Sequence, residues 1–143
     1  MKIGEINTRD KILIIAEIGN NHEGSYSLAE EMIGLAAQSG ADAVKFQTII
    51  PEKLVSIQQT ERINQLRRLQ LSYEQFVKLS KFANQEGVIF LSTPFDIESA
   101  LFLNELVPVF KIASGDNDFY PLIQKSASTG KPIIMYTGLT SID

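Results

Sequence analysis

Residues 40–50 read GADAVKFQTII. Ala43, Val44, Phe46, Ile49 and Ile50 give this run the apolar content of a buried strand, yet Lys45 and Gln47 stand inside it. Side chains alternate between faces along a strand, so residues two apart share a face. Lys45 and Gln47 therefore point the same way, and the segment reads as a buried strand with a polar pair toward its carboxyl end.

The same phrase recurs on both sides of it. Upstream, KILIIAEIG (11–19) is near-continuously apolar, as expected of a strand covered on both faces. SYSLAEEMIGLAAQSG (25–40) follows it. Leu28, Met32, Leu35 and Ala36 fall at helical spacing there, and Gly40 suits a left-handed stop. Downstream, Pro51 ends the strand, and a short charged helix is predicted over 59–69. LSYEQFVKLSKFANQEG (71–87) opens with Ser72 and Gln75 at capping-box spacing and Leu71 and Phe76 at hydrophobic-staple spacing, and it stops at Gly87. Three more strands follow: VIFLSTP (88–94), VFKIASG (109–115) and KPIIMYTG (131–138). Between them lie a helix with Asp96 as its cap and Pro108 as its stop, and a short helix for which Asp118 is the predicted cap.

Strands alternating with helices imply a parallel sheet with right-handed crossovers. Such sheets bind ligands at the carboxyl ends of their strands. Those ends carry Glu17; Lys45 and Gln47; Ser92 and Thr93; Lys111 and Ser114; and Tyr136 and Thr137. Each strand is apolar until its last residues and then turns polar. GNNHEG (19–24) has phosphate-loop glycine spacing, but Ser25 and Tyr26 follow where a lysine and a hydroxyl residue are required. A strand followed by G-x-G-x-x-G is also absent from the sequence, which argues against a dinucleotide fold. The expected fold is α/β, a partial (β/α)8 (TIM) barrel. About five parallel strands with intervening helices fit in 143 residues, whereas a full barrel takes about 250.

Composition sets the outer limits. Apolar residues are 44 % and charged residues 21 %, an ordinary globular balance. A net charge of −4 gives no basic face for nucleic acid or an anionic membrane. The absence of cysteine excludes disulfides and thiolate metal sites. No apolar run has signal-peptide or membrane-spanning character, so a cytoplasmic location is expected.

Lys45 and Lys111 are the natural anchors of a site. Two ammonium groups facing one cavity repel, and an anion between them relieves the repulsion. At about 4 Å and an effective dielectric of about 20, each opposite-charge contact is worth about 4 kcal/mol before desolvation. Hydroxyls of Ser92, Thr93 and Ser114 would complete a site for a phosphate- or carboxylate-bearing anion. The alternative is that each lysine snorkels to water. Glu17 is either a partly desolvated acid–base carboxylate or the structural partner of Lys45. His22 is the sole histidine; one histidine makes no metal site, and in a polar loop it reads as a hydrogen-bonding residue.

IIAEIGNNHEG, VKFQT, FLSTPFD, FKIASGD and KPIIMYTG, in this order and at strand ends, resemble the amino-terminal part of the sialic acid (N-acetylneuraminate) synthase family. That resemblance covers nearly the whole chain. It implies a (β/α)8 barrel that condenses phosphoenolpyruvate with an N-acetylated hexose to a nine-carbon 2-keto sugar acid, releasing phosphate. A divalent metal, manganese or magnesium, is implied for the intact enzyme, with ligands outside this chain. Homodimerisation of the intact protein is implied as well. Carried over residue by residue, Glu17, Lys45 and Lys111 are the catalytic candidates. Gln47, Ser92, Thr93, Ser114, Asp116 and Thr137 are the substrate-binding ones. The sequence departs from the family at Tyr136, where serine is usual, and mildly at Ala113 and Asp116.

The resemblance further implies that residues 1–143 are the amino-terminal portion of the barrel domain and lack the carboxy-terminal antifreeze-like domain. The chain then reads as a shortened form, a partial gene product or a piece that pairs with another chain. Five strands of an unclosed barrel leave an apolar parallel edge exposed. Two other functions compete: an aldolase that forms a Schiff base on a strand-end lysine, and a non-catalytic ligand-binding or assembly piece.

Overall fold

The computed structural model describes residues 1–140. A short antiparallel pair, β1 (Lys2–Ile3) and β2 (Ile6–Asn7), opens the chain. The α/β succession follows: β3 (Ile15–Gly19), α1 (Tyr26–Gln38), β4 (Ala43–Thr48), α2 (Pro51–Leu54), α3 (Thr60–Leu69), α4 (Tyr73–Gln85), β5 (Ile89–Pro94) and α5 (Ile97–Leu103). Next come β6 (Phe110–Ile112), a 3-10 turn (Ser114–Asp116), α6 (Tyr120–Ala127) and β7 (Ile133–Met135). The β3–β4–β5 and β6–β7 pairings are parallel, and β6 lies beside β5. The five expected parallel strands therefore form one wall of a barrel, with helices on its outer side.

Strand alternation sorts the core into two layers. Ala16, Val44, Phe90, Phe110 and Ile133 face outward and pack with Ala29 and Ile33 of α1 and Phe76 and Leu79 of α4. Phe46 is fully buried there, its ring 5.5 Å from Phe90 and 6.3 Å from Phe76. Ile15, Ala43, Leu91, Val109 and Ile134 face inward and meet Ile3 of the hairpin, which floors the wall. Burying side chains of this size stabilises by roughly 1.5–3 kcal/mol each.

Local chemistry explains where the elements begin and end. Ser72 Oγ accepts from the Gln75 amide at 3.2 Å, and Gln75 Oε1 accepts from the Ser72 amide at 2.8 Å, a complete capping box. Leu71 and Phe76 are buried together beside it. Asp96 caps α5 through both oxygens, accepting from the Ser99 amide at 2.9 Å and its hydroxyl at 2.6 Å. Gly40 and Gly87 follow α1 and α4 with φ of +84° and +76°, the left-handed geometry that L side chains resist.

Several sequence expectations are corrected. Asp118 is not a side-chain cap: Phe119 is the N-cap residue of α6, Asp118 offers its carbonyl to the Tyr120 amide at 2.8 Å, and Pro121 supplies the helical start. Pro108 does not stop α5, which ends at Asn104; Lys131 Nζ takes the freed carbonyls of Asn104 and Val107. In α1 the buried line runs through Ala29 and Ile33, and Leu35 is exposed. The first parallel strand is not covered on both faces. Ile12 and Ile14 are 83 % and 57 % exposed, because β3 is an edge of the sheet. The hairpin and α2 are additions to the sequence reading.

Candidate functional site

On every parallel strand, the inward residue two positions beyond the apolar inner layer is polar or aromatic–polar. Ile15 leads to Glu17, Ala43 to Lys45, Leu91 to Thr93, Val109 to Lys111 and Ile134 to Tyr136. The period of two thus stacks one polar tier on one apolar tier, at the carboxyl ends of five strands.

Lys45 and Lys111 are 3 % and 5 % exposed, so neither snorkels to water. Lys45 Nζ lies 3.0 Å from Glu17 Oε2 and donates to Thr93 Oγ1 at 3.3 Å. Register sets Glu17 beside Lys45 and Gln47 beside Thr93. Lys111 Nζ stands over the Tyr136 ring, 3.3 Å from its centroid. Burial first, and then repulsion from Lys45, push the Lys111 amine down to about 8; Glu17 and Asp116 pull weakly the other way. The two lysines therefore sense each other and share Glu17. Asp116 is raised by burial against the pull of Lys111, and its Oδ2 is buried without a partner.

Glu17 pairs with Lys45, and its side chain is 45 % accessible because it belongs to the edge strand. Tyr136 Oη donates to Glu17 Oε1 at 3.0 Å, bridging the two outer strands of the wall. Gln47 Oε1 accepts from Asn20 Nδ2 at 2.6 Å, which orients the amide.

Ser92 is the clearest misplacement. It pairs in register with Phe46 on the helix side, and its hydroxyl meets Thr48 Oγ1 at 2.8 Å. Adjacent residues in a strand cannot share a face, so Thr93 points in and Ser92 points out. Thr137 is exposed in the loop after β7, and its carbonyl accepts from Thr140 Oγ1 at 2.8 Å. The structure brings neither into the lysine tier. Ser114 stands at the rim: a Cβ on Gly138 would lie 2.9 Å from its Oγ, so only glycine allows the two loops this close.

Two positioning residues escaped the sequence reading. Asn117 Nδ2 donates to the carbonyls of Ser114 at 2.8 Å and Gly138 at 3.0 Å, tying the loop after β6 to the loop after β7. Asn20 orients Gln47. Asn20 comes immediately after β3, and Asn117 closes the 3-10 turn that follows β6. His22 behaves as a loop hydrogen-bonder: it is fully buried, Nδ1 accepts from the Gly24 amide at 3.1 Å, and burial lowers its pKa.

Among the described residues no group of three or more His, Cys, Asp or Glu is arranged to hold a metal ion. A cavity of about 750 Å³ opens at the opposite end of the strands, lined by Gly4, Lys11, Asp42 and Val107 among others. Lys11 and Asp42 pair with each other there at 2.5 Å, and the strand carboxyl ends point away from it. None of the described helices is long and apolar enough to cross a membrane.

Comparison with known proteins identifies the family. The chain is 38 % identical to an N,N'-diacetyllegionaminic acid synthase of Campylobacter jejuni, over 92 % of the chain and 44 % of that protein. It is 35 % identical to the human N-acetylneuraminate-9-phosphate synthase, over 91 % of the chain and 40 % of that protein. It therefore spans less than half the length of these curated relatives. A crystal structure of the sialic acid synthetase of Leptospira borgpetersenii, in complex with citrate, superposes with a TM-score of 0.92 at 31 % identity, covering 99 % of this chain and 50 % of that one. Residues 32–143 match the model of the NeuB family. A barrel wall with its polar residues gathered at the strand ends, and a sequence matched over this length, place the chain in the NeuB family.

Proposed function

We propose that this chain supplies the phosphoenolpyruvate-binding wall of a barrel that condenses phosphoenolpyruvate with an N-acetylated hexose to a nine-carbon 2-keto sugar acid. The observation that supports this most is the pair of buried lysines, one held by Glu17 and one whose pKa is lowered by burial and then by its neighbour. Two buried cations with one exposed carboxylate between them leave a local excess of positive charge. A small dianion offsets that excess, and phosphoenolpyruvate offers both phosphate and carboxylate. The relatives are named as synthases of sugar acids, which fits the same substrate class.

In this reading Lys45, Lys111 and Thr93 hold the anion. Ser114 and Asp116 line its rim, and Gln47, oriented by Asn20, faces the sugar. The enol methylene attacks the sugar aldehyde carbon, forming the new C–C bond. Water then adds to the resulting cation, and the C–O bond to phosphate breaks. Glu17 is placed beside this centre to move the proton of the water or of the nascent hydroxyl. The chain spans less than half the length of its curated relatives, and in this reading the rest of the barrel, the metal ligands and a homodimer partner lie outside residues 1–143.

The test is the complete polypeptide incubated with phosphoenolpyruvate and N-acetylmannosamine. Phosphate release should accompany a nine-carbon acid detected by mass spectrometry, and Lys111→Ala should reduce the rate at least tenfold. Turnover by the variant at the native rate would remove the lysine tier from the reaction. Borohydride treatment with pyruvate should leave no adduct; a trapped adduct would point instead to a Schiff-base aldolase.

A further inference from the structure

Tyr136 belongs to the polar tier by register, yet the chemistry above gives it no role. Its amide donates to the Ile112 carbonyl at 3.1 Å, which extends the β6–β7 ladder by one residue and fixes the backbone. The side chain then closes a circuit. Lys45 holds one oxygen of Glu17, the Tyr136 hydroxyl holds the other, and the Tyr136 ring lies against Lys111. The face of an aromatic ring carries the negative end of its quadrupole. Tyr136 thus gives Lys111, more weakly, what an anion would give it. With the ring centroid 3.3 Å from Nζ, an oxygen cannot approach from that side while the ring stays.

Tyr136 follows the last residue of β7 and is 43 % exposed, and it is not among the residues of either apolar core layer, so rotation about χ1 takes the ring off Lys111. We propose that Tyr136 is the gate of the lysine site, an internal stand-in that occupies Lys111 and Glu17 until an anion displaces it. It thereby acts as a specificity-determining residue. A dianion such as phosphoenolpyruvate displaces the ring, whereas a monocarboxylate gains too little from one lysine to do so. This inference rests on the proposal that the tier binds an anion.

The test is calorimetric titration of the chain with phosphoenolpyruvate and, separately, with pyruvate, for wild type, Tyr136→Ala, Tyr136→Phe and Lys111→Ala. Removing the ring should tighten phosphoenolpyruvate binding by about 2- to 30-fold, the range of one cation–π contact. It should also narrow the preference over pyruvate. The phenylalanine variant keeps the ring but loses the Glu17 tether, so its affinity should fall between the two. In wild-type protein, NMR should show the ring-current shift of the Lys111 ε-methylene protons collapsing on saturation with phosphoenolpyruvate. This readout needs no variant and would not move if the tyrosine were only structural. Unchanged or weaker binding by Tyr136→Ala and Tyr136→Phe, or a ring-current shift that survives saturation, overturns the gate. That failure is distinct from failure of the anion site, in which wild type and both Tyr136 variants alike bind nothing.

Discussion

Lys111 is the residue on which the proposed anion binding turns. Its amine is pushed down to about 8 by burial and by Lys45, with Glu17 and Asp116 opposing. The charged groups around it come from β3, β4, the turn after β6 and, through its ring, the residue after β7. Below about pH 8 the amine is protonated and attracts an anion; as pH rises through that value the charge is lost. Anion binding favours the protonated form and so raises the pKa. Affinity for phosphoenolpyruvate should therefore be flat near neutrality and fall once pH passes about 8, with proton uptake on binding near that pH. Titration in two buffers of different ionisation enthalpy reads the uptake directly. A constant affinity from pH 7 to 10 would show that Lys111 does not carry the interaction. Tyr136 was visible in the sequence as a polar strand end and as a departure from serine; its contacts with Lys111 and Glu17 depend on three strands meeting, which no local pattern encodes.

The elements that were legible owe it to short-range chemistry. The box around Ser72 closes within four residues, so its spacing alone announces the start of α4. Ser72→Ala removes one of its two hydrogen bonds and should lower stability by about 1 kcal/mol, measured by denaturant unfolding. No change would mean that tertiary packing, not the cap, sets that helix end. Asp118 misled because a carboxylate before a helix looks the same whether its side chain or its carbonyl is used, and the two prolines misled in different ways. Pro108 follows α5 too late to stop it, while Pro51, three residues beyond Thr48, does not end β4 but opens the one-turn α2. The β1–β2 hairpin went unread because two-residue strands carry no period, although Gly4 and Glu5 between Ile3 and Ile6 are a short-turn signal. Ser92 was a missed inference of another kind. Once Lys45 and Gln47 are assigned to the inner face, alternation along β5 decides between Ser92 and Thr93.

Across the molecule, the five strands form a wall whose two ends, β3 and β7, are open edges. Ile12, Ile14 and Met135 are exposed along them, the pattern of a surface that further strands of the same barrel would cover. The fold class was readable because strand, helix and glycine recur in phase; the exposure of Glu17 was not, because it depends on which strand lies at the edge. Both lysines of the proposed anion site lie within this wall, so under that proposal the chain itself should bind the anion. The most direct measurement is the dissociation constant of phosphoenolpyruvate for the chain and for Lys45→Ala and Lys111→Ala, with Lys81→Ala, an exposed position on α4, as control. Loss of one charge-assisted contact corresponds to about 10- to 150-fold weaker binding, expected for each tier lysine and not for Lys81. Equal affinity in all four proteins would contradict the convergence of Lys45 and Lys111 on one anion.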